Sequence, residues 1–285
     1  MARSFLTGTE LDAVELKALL ARAVELKSAP LSSNALAGRS VALVFQKPST
    51  RTRVTFETGI VELGGHPLIL NADELQLSRG ESYKDFARVM SRHVSMIGVR
   101  THDDAELETL AAEGTISVVN MLTRGHHPCQ ALADLMTLRE RFGKLDGLKV
   151  AYVGDANNVT RSLRLLGSAL GVEVVSSSPR GHTLDDIPNI EDPIEAVQDA
   201  NAIYTDVWVS MGEQATDTKA LAPYSLDDAL LDAAAPGAIA LHCLPAHPGQ
   251  EISESVLYGD REGIWDQAEN RRHAQKALLE LLADD

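Results

Sequence analysis

Apolar residues along this chain fall into two alternating spacings, and the alternation predicts the architecture. Residues 9–27 carry Leu16, Leu19, Leu20, Ala23 and Val24 at helical intervals, and the run SAPLSSN then breaks that helix. A continuous apolar run, VALVF at 41–45, reads as a buried strand, and Phe56, Ile60 and Leu63 share one face of a helix over 52–63. The run HPLIL, the polar loop NADELQLSRGES and a helix through Phe86, Val89, Met90 and His93 come next. MIGVR, a helix over 104–113 and ISVVNM complete the first series. Strands separated by helices in this way imply an α/β fold with a parallel sheet flanked by helices.

The segment TRGHHPCQALADLMTLRERFG reads as a loop entering a long helix, after which LKVAYVGD opens a second strand–helix series. That series runs through a helix with Leu163, Leu166 and Leu170, then VEVVSSS, EDPIEAVQDA, AIYTDVWVSMG and IALHCLP. The C-terminal AENRRHAQKALLELLADD is an amphipathic helix able to return to the first domain. Two domains are therefore expected, 1–132 together with 268–285, and 133–267. Ligand-binding loops of parallel sheets lie at the carboxyl ends of strands. GDANN, TDVWVSMG and HCLP all fall at such ends.

With 285 residues the chain can bury two cores. A formal net charge of −15 disfavours nucleic acid and anionic membranes as partners, so any anion site must be a local positive pocket. No apolar run approaches the length of a membrane span, and a cytoplasmic location is expected. The only two cysteines, Cys129 and Cys243, do not make a disulfide framework.

The stretch FQKPSTRTR at 45–53 is the richest in chemistry. It gathers hydroxyls, guanidinium groups and backbone N–H groups where a strand turns into a helix, a setting suited to phosphate. The plainer reading makes Ser49 or Thr50 a helix cap and pairs Arg53 with Glu57. Against it, arginines in a first turn oppose the helix dipole, and an anion would relieve them. Neither a Walker lysine nor a GxGxxG pattern is present.

Five motifs in order, STRTR at 49–53, HPCQ at 127–130, DVWVSMG at 206–212, HCLP at 242–245 and AENR at 268–271, resemble those of the ornithine carbamoyltransferases. The first two also resemble aspartate carbamoyltransferases; the SMG loop and the cysteine of HCLP point to ornithine. The resemblance covers nearly the whole chain. It implies a transferase that moves the carbamoyl group of carbamoyl phosphate to the δ-amine of L-ornithine without cofactor or metal, and places its site in a cleft between two α/β domains. It also implies a trimer, or a multiple of trimers, with shared sites.

Residue roles follow from the resemblance alone. Ser49, Thr50, Arg51, Thr52 and Arg100 would hold the phosphate, and His127 and Gln130 the carbamoyl group, with Arg271 closing that side. Cys243 and the Leu244 carbonyl would lie near the reacting amine. Asp206 would pair with the α-ammonium of ornithine, while Asn158, Ser210 and Met211 would take its carboxylate. Gln76 would reach a neighbouring subunit's site.

Some positions depart from the family pattern. The segment between VEVVSSS and DPIEAV is short, Phe86 stands where threonine is common, and Pro248 where arginine is common. Other readings keep a place. His127, Cys129, His242 and Cys243 could form a Cys2His2 metal set, though their spacing is unlike zinc knuckles. VGDANN is a weak echo of a dinucleotide loop. A carbamoyltransferase for putrescine or an N-acylated ornithine is the main alternative, and a catalytically silent ligand-binding subunit is another.

Overall fold

The computed structural model describes residues 2–209 and 218–284, which divide into two compact units, 1–133 with 270–285, and 134–269. In unit 1, helix α1 (Ala13–Ser28) precedes β1 (Ser40–Phe45), α2 (Thr50–Glu62), β2 (His66–Asn71), α3 (Tyr83–Met90), β3 (Met96–Arg100), α4 (Asp104–Glu113) and β4 (Ser117–Leu122). Helix α5 (Pro128–Phe142) begins in this unit and ends in the next. Unit 2 continues with β5 (Lys149–Val153), α6 (Asn158–Ala169), β6 (Glu173–Ser177), α7 (Pro193–Val197), β7 (Ala202–Thr205), α8 (Asp228–Asp232), β8 (Ile239–His242) and α9 (Glu254–Leu257). Helix α10 (Ile264–Asp284) starts in unit 2 and finishes in unit 1.

Each unit holds one four-stranded parallel sheet. The orders are β2-β1-β3-β4 and β6-β5-β7-β8. Both sheets reverse their winding once, between β1 and β3 in the first and between β5 and β7 in the second. At such a switch point the loops leaving the two strands diverge and open a crevice at the carboxyl ends. The strands flanking the two switch points, β1, β3 and β5 among them, are buried along most of their length because helices cover them, while the edge strand β2 is only partly buried.

Helix α1 starts four residues later than the apolar spacing predicts. Asp12 caps it, accepting from the N–H groups of Val14 and Glu15 while Glu15 reaches back to the Asp12 N–H, a capping box that sets the start. Phe86 packs into the apolar cluster under α3 with Ile97, Leu107 and Leu110. The short segment 178–192 forms no helix. His182 donates its backbone N–H to Pro179 O, and Ile190 returns to pair with Ser176.

Within unit 1 the final helix is pinned by a buried cation. Lys276 on α10 is fully buried, with Nζ 2.7 Å from Glu62 Oε2 at the end of α2 and bonded to the Pro30 carbonyl. A buried ammonium is tolerated only when so paired. The contact also fixes which face of α10 meets α2, and thereby aims Arg271.

Candidate active site

In unit 1 the switch point gathers the cations that the motifs single out. Phe45 and Arg100 are register partners at the ends of β1 and β3, and the Gln46 N–H donates to the Arg100 carbonyl at 3.0 Å. The turn after β1 therefore leaves directly beside Arg100. Ser49 stands at the N-cap of α2 but makes no side-chain capping bond, and no acidic residue occupies the first turn. Helices α1, α3, α4 and α6 all have a side-chain cap, so the start of α2 is conspicuous. Arg53 is paired with Glu57 at 3.2 Å, as the plainer reading of this turn expects. No ion pair engages Arg51 among the described residues.

Thr52 is fully buried, and its hydroxyl accepts from Arg271 Nη2 at 3.0 Å. Arg271, Arg100 and His127 are all buried, at 4%, 7% and 5% exposure, with Gln130 beside them on the first turn of α5. Burial, with the Arg271 and Arg100 charges nearby, holds the His127 imidazole well below its ordinary range. His127 is thus neutral near pH 7 and can donate from one nitrogen. The turn before it is set by Asp104, which accepts from the Thr123 hydroxyl at 2.6 Å and the Gly125 N–H at 3.2 Å, and lies 3.0 Å from His126 Nδ1. A Cβ on Gly125 would sit 2.6 Å from that carboxylate, so any larger residue there would have to push the Asp104 side chain aside. Burial alone would raise the Asp104 carboxyl, but the hydrogen bonds from Thr123 and His126 bring it below the ordinary range.

In unit 2 the groups at the switch point satisfy one another. Asp206, at the end of β7, accepts from the Asn157 amide at 2.9 Å through Oδ2, and from its neighbour Val207 N–H at 2.8 Å through Oδ1. The Cys243 thiol donates to the same Oδ1 at 3.0 Å. Asn157 is also the N-cap of α6, in a capping box with Thr160, and Asn158 is the first residue of that helix. The turn is braced from the short segment: His182 Nδ1 lies 2.8 Å from Asp155 Oδ1, and the Ala156 N–H donates to the His182 carbonyl at 3.0 Å.

Leu244, after β8, holds a positive φ of 61° and precedes a cis peptide bond to Pro245. A left-handed leucine costs about 1–2 kcal/mol. Its N–H donates to His242 Nδ1 at 2.8 Å, so the imidazole proton lies on Nε2, which donates to Glu251 Oε1 at 3.2 Å. Burial would push Glu251 up, but His242 and the His247 N–H bring it below the ordinary carboxylate range.

Asp206, His242 and Cys243 offer three ligand atoms within 4.8 Å. Both His242 nitrogens are already engaged, so a metal there would have to break the bond to Leu244 or to Glu251. Cys129 is fully buried, its thiol donates to the Asn120 carbonyl, and burial pushes its pKa up to about 12. It cannot supply a thiolate ligand or nucleophile near neutrality.

Gln76 is exposed in a 3₁₀ turn, Gln76–Arg79. Ser210 and Met211 lie outside the described residues. Sequence alone gives no site role to Asn157, which it shows only as half of an Asn-Asn pair with Asn158, nor to Asp104, His182 and Glu251. Only Asn157 carries a local signal, an asparagine just before a helix; the others act through partners 9 to 27 positions away.

Fold and sites together define a two-domain α/β protein with a cationic pocket at one switch point and a carboxylate–thiol pair at the other. Residues 3–140 match the aspartate/ornithine carbamoyltransferase carbamoyl-P binding domain, and residues 146–282 match the Asp/Orn binding domain of the same family. An ornithine carbamoyltransferase of Acidothermus cellulolyticus is 48% identical, over 100% of this chain and 97% of its own. One from Methanoculleus marisnigri is 46% identical, over 98% of this chain and 96% of its own. Among solved structures, the ornithine carbamoyltransferase of Pyrococcus furiosus superposes with a TM-score of 0.93 at 43% identity, covering 98% of this chain and 96% of that one. The chain belongs to the aspartate/ornithine carbamoyltransferase family.

Proposed function

We propose that this chain transfers the carbamoyl group of carbamoyl phosphate to the δ-amine of L-ornithine, giving L-citrulline and phosphate. The observation that carries the phosphate half is the uncapped start of α2, with Arg51 in its first turn and buried Arg100 beside it. A leaving phosphate gains charge as the C–O bond breaks, and guanidinium groups with first-turn N–H groups stabilise that charge. Ser49, Thr50 and Thr52 complete the phosphate site. His127, neutral, donates to the carbamoyl oxygen as it becomes an oxyanion; Gln130 orients the carbamoyl amide, and Arg271 is placed beside them by its bond to Thr52.

In unit 2, Asp206 takes the α-ammonium of ornithine, and Asn158, Ser210 and Met211 take its carboxylate. Asn157 and Val207 hold the Asp206 carboxylate in one orientation, so little ordering is left for the substrate to impose. The neutral amine attacks the carbonyl carbon, the C–O bond breaks with its electron pair leaving on phosphate, and the proton the amine sheds passes to that phosphate. Cys243, bonded to Asp206 as a thiol donor, shields the amine; the Leu244 carbonyl, held by the His242 bond, faces the same work. No step calls for a metal or cofactor.

The chain is further read as cytoplasmic and as a trimer, or a multiple of trimers, in which Gln76 completes a neighbour's site. Among the described residues no helix is long and apolar enough to cross a membrane. Light scattering beside turnover tests the assembly: a fully active monomer at assay dilution would refute it.

The decisive assay is citrulline formation from carbamoyl phosphate with ornithine, beside aspartate, putrescine and N-acetylornithine at matched concentrations. Strong preference for ornithine is expected. Preference for another amine would retain the phosphate site and overturn the acceptor, and no turnover with any would leave a silent ligand-binding subunit.

A further inference from the structure

One polar cluster in unit 1 belongs to none of the roles above. Glu106, in the first turn of α4, accepts at Oε2 from the Gln46 side-chain amide at 2.8 Å and from the Thr101 hydroxyl. The Gln46 amide also donates to the Tyr83 hydroxyl. Burial of that phenol, its hydrogen bond to Glu106 and the charge of the same carboxylate push the Tyr83 pKa well above its ordinary value, which keeps it a donor throughout the working range.

The positions of these donors matter more than their number. Gln46 is the first residue after β1 and opens the turn that leads through Lys47 and Pro48 to Ser49 and Arg51. Thr101 is the first residue after β3, next to Arg100. Tyr83 is the first residue of α3 and ends the segment that carries Gln76. One carboxylate thus gathers the three backbone segments from which the phosphate-binding groups project. Each donor lies at an element terminus, where the backbone has the fewest partners of its own.

A plainer role for Glu106 is a favourable charge at the N-terminus of α4. That role needs no contact with Gln46 or Thr101, and Asp103 and Asp104 already supply acid there. We propose that Glu106 is a positioning residue of the phosphate site, fixing the turn after β1, the Arg100 strand end and the Gln76 segment in one mutual register through Gln46, Thr101 and Tyr83. The inference rests on the phosphate-site assignment made above.

The test is steady-state kinetics on the full chain, varying carbamoyl phosphate and ornithine separately, for Glu106→Ala, Glu106→Gln and Tyr83→Phe, with Arg100→Lys in parallel. Loss of a charged acceptor from three donors should raise the carbamoyl phosphate KM about 10- to 100-fold in Glu106→Ala. The ornithine KM should move less than about twofold. Glu106→Gln keeps a carbonyl acceptor and should recover most of the loss. Tyr83→Phe should show a rise of about threefold, and adding it to Glu106→Ala should cost little more, since both break one network. A carbamoyl phosphate KM unchanged in Glu106→Ala, or equal shifts in both KM values, overturns the proposal. If Glu106→Ala fails to fold, Tyr83→Phe decides alone: an unchanged carbamoyl phosphate KM overturns the proposal, and a selective rise supports it. If Arg100→Lys leaves that KM unchanged, the phosphate-site assignment falls and the proposal with it. If Arg100→Lys raises it while the Glu106 variants do not, only the proposal falls.

Discussion

The two switch points use opposite electrostatic strategies. In unit 1, Arg100 and Arg271 are buried beside a neutral histidine, at a helix start with no capping side chain and no acid in its first turn. In unit 2, Asp206 already holds an amide, a backbone N–H and a thiol. The first arrangement concentrates positive potential that an anion would relieve; the second is internally satisfied and acts by holding a fixed shape. Phosphate should therefore stabilise the chain strongly, while ornithine alone should gain little beyond what its ammonium adds.

The largest expected effect tests the cationic side. Arg100→Ala should lower kcat/KM for carbamoyl phosphate by roughly 10³-fold, because truncating one member of a desolvated charge pair costs about 3–5 kcal/mol. In the same experiment inorganic phosphate at 100 times its Kd should stabilise the wild type by about 2.7 kcal/mol in a melting assay and the variant far less. An equal shift in both would break the contrast between the units. Lys276→Met comes next. It removes the shorter of the two ion pairs at Glu62 and leaves the one to Arg272 at 3.4 Å, and urea unfolding should show a loss of about 2 kcal/mol.

On the satisfied side, Asn157→Ala removes both a helix cap and the anchor of Asp206 Oδ2. The ornithine KM should rise about tenfold or more, for a lost bond to a charged group of about 1.5–3 kcal/mol, with the carbamoyl phosphate KM unmoved. His127 supplies a pH test. Its folded pKa lies below the unfolded value of 6.5, so the unfolded chain binds more protons as pH falls through 6.5. Stability should therefore fall with decreasing pH in that window, by at most about 1.4 kcal/mol per unit from this group. Urea titrations of wild type and His127→Asn at pH 7 and pH 5.5 should show the smaller loss in the variant. The least effect is expected for Cys243→Ser, which keeps a donor to Asp206: kcat should drop less than about tenfold. A far larger drop would make the sulfur itself a participant.

Much of the fold is legible in sequence because apolar runs and helical faces are local. VALVF, MIGVR and KVAYV lie in β1, β3 and β5, and the motifs at their ends sit where parallel-sheet topology places ligands. What the pattern could not convey is long-range polar pairing. Glu251 and Asp104 look like ordinary surface acids in the sequence, yet one is fully buried against His242 and the other fixes the turn before His127. The late start of α1 escapes apolar spacing because a side-chain cap determines it. Among hydroxyls, sequence offers Ser49 or Thr50 as a cap for α2, and the structure gives Ser49 the position without the bond.

The shortened stretch after β6 has a use beyond the chemistry of this chain. It is clamped at both ends, by His182 against the turn after β5 and by Asn189 against Ser176 and Ser178. Thr183, Asp185 and Asp186 between the clamps are exposed. Extra residues inserted there would be insulated from the turn by the His182 clamp, which makes this stretch a natural port for length variation: a protein engineer could seat a reporter peptide at 185 and leave both switch points undisturbed.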